Sequence, residues 1–153
     1  MNRLFKTLVI DDEPAARRLM KSLLSEFSES IEVIGEAGNG REAIEKIHTL
    51  RPDLIFLDIQ MPGISGVQFL QTISSPPMVI FITAYEQYAL EGFNLNVVDY
   101  LLKPVSFDRF LKAANKAHEL FTLKNSLSSV NESLEYLFVN ADYSLVKINI
   151  RDI

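Results

Sequence analysis

Apolar positions along the chain switch between two periods, and the switches mark out its elements. Thr7–Ile10 is a short continuous run that stops at the acids Asp11 and Asp12. Behind Pro14 the spacing turns helical: Ala16, Leu19, Met20, Leu23, Leu24 and Phe27 recur three and four residues apart. Pro14 suits a first helical turn, where a missing N–H costs nothing. Residues 31–37 read as a second strand, Gly38-Asn39-Gly40 as punctuation, and Ala43, Ile44, Ile47 and Leu50 as an amphipathic helix that Arg51-Pro52 ends. Leu54–Leu57 is a third strand that also stops at an acid, Asp58. A loop at Met61-Pro62-Gly63 then leads into a helix from Gly66 to Ser74. Met78–Ile82 is a fourth strand ending at Thr83, Tyr88–Phe93 a short helix, and Val98–Leu102 a fifth strand ending at Lys103-Pro104. Phe107, Phe110, Leu111, Ala114, Ala117 and Phe121 make a last strong helix.

Five strands thus alternate with five helices over residues 4–122. Strands one, three and four lack any polar alternation, which predicts burial on both faces of a parallel sheet. The whole pattern predicts an open α/β domain with helices on both sides and right-handed crossovers. After Phe121 the texture changes. Lys124–Ser133 is polar and Ser/Asn-rich, suited to a linker or a helix extension. Tyr136–Val139 and Leu145–Ile150 read as a β-hairpin. A lone hairpin is marginal in water, so these residues look like the opening of a unit that the chain does not finish.

Composition narrows the function classes. The 153 residues hold 15 Lys+Arg against 20 Asp+Glu, a net charge of −5, which argues against a chain-wide nucleic-acid surface. There is no cysteine, hence no disulfide, thiolate metal site or thiol nucleophile. No apolar run reaches membrane-spanning length and the start does not look like a signal peptide, so the expectation is a cytoplasmic chain without membrane contact.

The informative polar residues stand where such a sheet binds ligands, beyond the carboxyl ends of its strands. Asp11 and Asp12 follow strand one, Asp58 strand three, Thr83 strand four and Lys103 strand five. Carboxylates gathered in one crevice resist ionisation unless a cation joins them. Mg²⁺ is the natural choice, since it takes one or two carboxylates and phosphate oxygens together. Asp is a competent nucleophile for phosphoryl transfer, and a Lys ammonium and a Thr hydroxyl bind the phosphoryl oxygens left over.

Four sets carry a resemblance: Ile10-Asp11-Asp12-Glu13-Pro14, Leu57-Asp58-Ile59-Gln60-Met61-Pro62-Gly63, Ile82-Thr83-Ala84 and Tyr100-Leu101-Leu102-Lys103-Pro104. In that order they resemble the motifs of the bacterial response-regulator receiver domain. The resemblance implies a flavodoxin-like (βα)5 receiver over residues 1–122, with parallel sheet order 2-1-3-4-5. It implies that Asp58 accepts phosphate from a sensor histidine kinase. Mg²⁺ would be held by Asp11, Asp12, Asp58 and the Gln60 backbone carbonyl, and Lys103 would pair with the phosphoryl group. Thr83 and Tyr100 would form the switch, Lys103-Pro104 would be cis, and the face of the fourth helix, fifth strand and fifth helix would dimerise. Such a chain is no enzyme beyond its own phosphorylation and slow self-dephosphorylation. The tail, 136–153 behind a linker at 123–135, is similar to the first strands of a LytTR-type DNA-binding domain. That likeness implies a truncated transcription regulator whose DNA contacts lie beyond Ile153.

Two rival readings are a phosphorylation-independent dimerisation scaffold of the same fold and a Mg²⁺-dependent aspartyl-phosphate phosphohydrolase. The second lacks an acid two residues after Asp58, where Gln60 stands. Gly35–Gly40 has the wrong spacing for a dinucleotide loop and reads as a plain turn. Arg17-Arg18 reads as a solvated helix face, and His48 and His118 as surface or boundary residues.

Overall fold

The alternation of apolar runs and helical stripes folds into a single parallel sheet with helices against both faces. The computed structural model describes residues 5–85 and 97–123. By compactness the chain divides into two units, Met1–Ala117 and His118–Ile153. The first holds the whole sheet, and of the second only residues 118–123 are described, as helix. The expected helix at Tyr88–Phe93, residues 124–135 of the expected linker or helix extension, and the hairpin lie outside the described residues.

In chain order the elements are β1 (Phe5–Ile10), α1 (Pro14–Ser25), β2 (Ile31–Ala37), α2 (Gly40–Leu50), β3 (Leu54–Asp58), α3 (Gly66–Gln71), β4 (Met78–Thr83) and β5 (Asp99–Leu102). Residues 107–123 are helical. The sheet order is β2-β1-β3-β4-β5, with every neighbouring pair parallel. This is the flavodoxin-like order expected from the sequence. Strand order reverses between β1 and β3, so a crevice opens beyond their carboxyl ends.

Side chains of successive strand residues point to opposite faces, and both sets are buried here. Leu8, Ile10, Ile55, Leu57, Val79 and Phe81 form one core with Ala43 of α2 and Phe69 and Leu70 of α3. The alternate residue Phe56 faces the other way and stacks on Phe110 at 5.8 Å between ring centroids. Phe110 also meets Phe27 at 5.7 Å. The helix of residues 107–123 approaches through Phe110, Ala113, Ala114 and Ala117, all buried.

Local chemistry sets the helix ends. Asn39 caps α2 by accepting from the Glu42 N–H, and Arg51 ends it in the left-handed region at φ 49°. Ser65 and Gln68 form a reciprocal capping box on α3. Two helices are shorter than their stripes predict. Phe27 lies past the end of α1, where it reaches Phe110, and α3 stops at Gln71 where Thr72 Oγ1 donates to the Phe69 carbonyl ahead of Pro76-Pro77. Leu19 and Phe107, which the helical period assigns to the core, are 46% and 45% exposed.

Candidate functional site

Each strand that ends at the crevice delivers at least one polar side chain, and the backbone ladder fixes where. Beyond β1 the Asp11 N–H continues the pairing by donating to the Ala37 carbonyl at 3.0 Å, so Asp11 is buried at the rim. Asp12 is half-buried and Glu13 exposed. At the end of β3, Asp58 is buried, and its Oδ1 accepts from the Gln60 N–H at 3.0 Å. That side chain-to-backbone turn holds the loop below it. Thr83 is fully buried at the end of β4, with Oγ1 accepting from the Tyr85 N–H at 3.0 Å. The Lys103 N–H extends the ladder past β5 to the Thr83 carbonyl at 2.8 Å, and Lys103-Pro104 is cis.

The long stem of Lys103 carries its ammonium across the end of β4 to the acids. Nζ lies 3.0 Å from Asp11 Oδ2, 3.4 Å from Asp58 Oδ2 and 4.0 Å from Glu13 Oε1. The contact to Asp11 is ionic rather than a well-angled hydrogen bond, whereas that to Asp58 is both. Side-chain carboxylate oxygens of Asp11, Asp12 and Glu13 all lie within 4.8 Å of one another. Residues far apart in sequence thus meet as one cation among four acids.

Burial and the neighbouring Asp11 charge push Asp58 up to about 7, against the pull of the Gln60 N–H and Lys103. Burial alone favours a neutral Lys103, yet the close contact with Asp11 and the Asp58, Asp11 and Glu13 charges outweigh it and raise its pKa. The crevice carries more negative charge than one ammonium offsets, and all its donors are hard oxygens. That donor set fits Mg²⁺ and suits no soft metal.

Tyr100 lies opposite Phe81 in the register and stacks on it at 5.6 Å between centroids. Its hydroxyl is buried and has no hydrogen-bond partner among the described residues. Burial raises its pKa. His48 and His118 are exposed, in line with their placement at the surface.

Two contributors escaped the reading of the sequence. Glu13 joins the acidic cluster, and its adjacency to Asp11-Asp12 was a usable signal. Gly66 lets α3 start directly beneath Asp58: its N–H donates to the Ile59 carbonyl at 2.6 Å, and a Cβ there would lie 2.5 Å from the Asp58 carbonyl oxygen. Nothing local in the sequence marks that approach.

Residues 7–115 match the model of the response regulator receiver domain. An uncharacterized response regulatory protein of Vibrio cholerae is 49% identical over 115 residues, covering 74% of this chain and 48% of that protein. The transcriptional regulatory protein BtsR of Salmonella typhi is 41% identical over 118 residues, covering 76% of this chain and 49% of its own length. The chain therefore spans about half the length of these curated relatives. Among solved structures, the receiver domain of AraT, a response regulator from Geobacillus stearothermophilus, aligns with a TM-score of 0.73. It is 30% identical and covers 80% of this chain and 99% of that one.

Proposed function

The chain belongs to the response regulator receiver family, and from that premise we propose that it takes a phosphoryl group onto Asp58 from a sensor histidine kinase to control a DNA-binding output. Receivers interact with such kinases and bind Mg²⁺ at an acidic pocket, and Asp11, Asp12 and Glu13 make an acidic cluster here. The observation that carries the reading is Lys103 Nζ held at 3.0 and 3.4 Å from Asp11 and Asp58, which unites the ends of β1, β3 and β5.

An Asp58 carboxylate oxygen attacks the phosphorus of a phosphohistidine. The P–N bond breaks, its electron pair returns to the imidazole nitrogen, and an aspartyl phosphate forms. Lys103 holds a phosphoryl oxygen by charge, and the Thr83 hydroxyl, now engaged by the Tyr85 N–H, turns to another. Asp11, Asp12, Asp58 and the Gln60 carbonyl would hold Mg²⁺, which would supply charge neutralisation for the transferring group. Moving Thr83 opens space behind it for Tyr100, whose hydroxyl has no hydrogen-bond partner among the described residues and so breaks no such bond by turning. The new anion thereby biases an equilibrium between two arrangements. The dimer face expected for this switch includes residues 88–93, which lie outside the described residues.

The same reading gives a receiver at 1–122, a linker or helix extension at 123–135 and the first strands of a LytTR-type domain at 136–153. All three belong to a cytoplasmic transcription regulator. The relatives named as transcriptional regulatory proteins are about twice as long as the matched segment, which leaves room for such an output. No helix among the described residues is long and apolar enough to cross a membrane.

The test uses the purified chain with MgCl₂ and acetyl phosphate, read by intact mass. One added phosphoryl group is expected, lost in Asp58→Ala and when EDTA removes the metal. Equal labelling of Asp58→Ala sinks the assignment, and steady turnover of a phosphate monoester would move it to a phosphohydrolase.

A further inference from the structure

Arg17 and Arg18 read from sequence as one solvated face, and the structure separates them. Arg18 is exposed, whereas the Arg17 side chain keeps 16% exposure and turns back from α1 toward the crevice. Its Nη1 donates to the backbone carbonyl of Asp11 at 2.6 Å, and its Nε donates to Glu36 Oε1 at 2.9 Å. Glu36 pairs with Val9 in the β1–β2 register, and its other carboxylate oxygen takes Lys21. Hydrogen bonds from Lys21 and then Arg17 hold the Glu36 carboxyl below its usual range, against burial. The turn at Gly38 makes room for this guanidinium, since a Cβ there would lie 3.2 Å from Arg17 Nη1.

The rest of Asp11 is fixed as well. Its N–H goes to the Ala37 carbonyl at 3.0 Å, and its Oδ1 accepts from the Glu13 N–H at 2.9 Å. With the carbonyl held by Arg17, only Oδ2 remains to face Lys103, 3.0 Å away. We infer that Arg17 is a positioning residue for the acidic crevice: acting through the Asp11 carbonyl, it sets the direction in which Asp11 presents its free carboxylate oxygen. The inference rests on the receiver reading above. Arginine suits the task because a planar fork reaches two acceptors in fixed directions, which a single ammonium cannot do. Removing groups that orient a metal ligand costs about 10- to 100-fold in affinity. The lower end applies here, because the hold is on the backbone.

The experiment titrates MgCl₂ alone into the full chain, followed by calorimetry well below the melting temperature. The variants are Arg17→Ala, Arg17→Lys, Glu36→Gln and Arg18→Ala, each with a thermal melt. Arg17→Ala is expected to weaken Mg²⁺ binding about tenfold. Arg17→Lys should recover only part of that, Glu36→Gln should lose less, and Arg18→Ala should match the parent. A merely structural role lowers the melting temperature and leaves the affinity of the folded protein alone. If Arg17→Ala does not fold, Arg17→Lys and Glu36→Gln carry the comparison. Affinities equal to the parent in the Arg17 variants overturn the positioning role, as does an equal loss in Arg18→Ala, which points to a general disturbance of α1. A parent chain that binds no Mg²⁺ overturns the metal reading and this role together, and the parent titration alone tells that failure apart.

Discussion

Gly66→Ala is the sharpest perturbation of the join between fold and site. A Cβ at residue 66 would stand 2.5 Å from the Asp58 carbonyl oxygen and 2.9 Å from Ile59 Cα. Both are backbone atoms, so neither can swing aside as a side-chain tip would. Ordinary contact begins at 3.4 Å, so the start of α3 and the end of β3 must part by 3.4 − 2.5 = 0.9 Å. The Gly66 N–H to Ile59 carbonyl bond resists that motion, as does the burial of Phe69 and Leu70 on the same short helix. Overpacking of this kind costs about 1–3 kcal/mol. Better helix propensity returns less than about 1 kcal/mol at a first helical position. The net expectation is a loss of about 1–2 kcal/mol, which lowers the melting temperature by roughly 4–8 °C in a unit of this size. Far-UV circular dichroism during thermal and urea unfolding reads the loss. The displaced carbonyl belongs to Asp58 itself, so labelling by acetyl phosphate should also slow. A melting temperature equal to or above that of the parent would refute the argument, because it means the backbone yields at no cost.

Three other outcomes test the frame around the site. Phe110→Ala empties the contact with Phe27 and Phe56 and should cost about 4 kcal/mol in urea unfolding; a loss below about 2 kcal/mol would show that the helix does not seal this face. Ser65→Ala removes one half of the α3 capping box and should cost about 1 kcal/mol, with faster amide exchange at Gln68. Asp99 makes a two-pronged pair with Arg109 at 2.6 and 2.9 Å, and Arg109 also holds the Tyr100 carbonyl at 3.0 Å. Burial pushes the Asp99 carboxyl up, but the Arg109 bonds prevail and its pKa is lowered. The pair's contribution is therefore complete above the unfolded carboxylate pKa, about 3.9, and is lost as pH falls through the lower folded value. With Arg109 42% exposed, screening limits it to about 1 kcal/mol. Asp99→Asn should lose that amount at pH 7 and flatten the acid limb of stability against pH. An unchanged acid limb rules the pair out.

The elements were legible wherever a local period or a stop signal was strong. β2 has the expected limits, and β1, β3, β4 and β5 differ by a residue or two at their ends. The misses have a common cause. The stripe through Leu19 and Phe27 and the one that Phe107 opens are helical in spacing, yet Leu19 and Phe107 face solvent and Phe27 lies beyond α1. Periodicity reports which residues share a side, and not whether another element arrives to cover that side. Arg17 was misread for the same reason: a charged helix position is normally solvated, and its acceptors are a backbone carbonyl and a glutamate on a neighbouring strand.

Residue types and their order determined the fold class, the run of strands and helices, and the five polar side chains at strand ends. These follow from hydrophobic period and turn chemistry, which act over a few residues. Tertiary structure alone decided that Lys103 reaches past β4 to both Asp11 and Asp58, and that Asp58 is buried enough to hold its proton up to about 7. It also decided that α3 begins against the Asp58 carbonyl, and that Arg17 holds the Asp11 peptide from behind. Each of those depends on how different elements of the fold are set against one another. Strand order and packing density set that arrangement, and no local pattern records it.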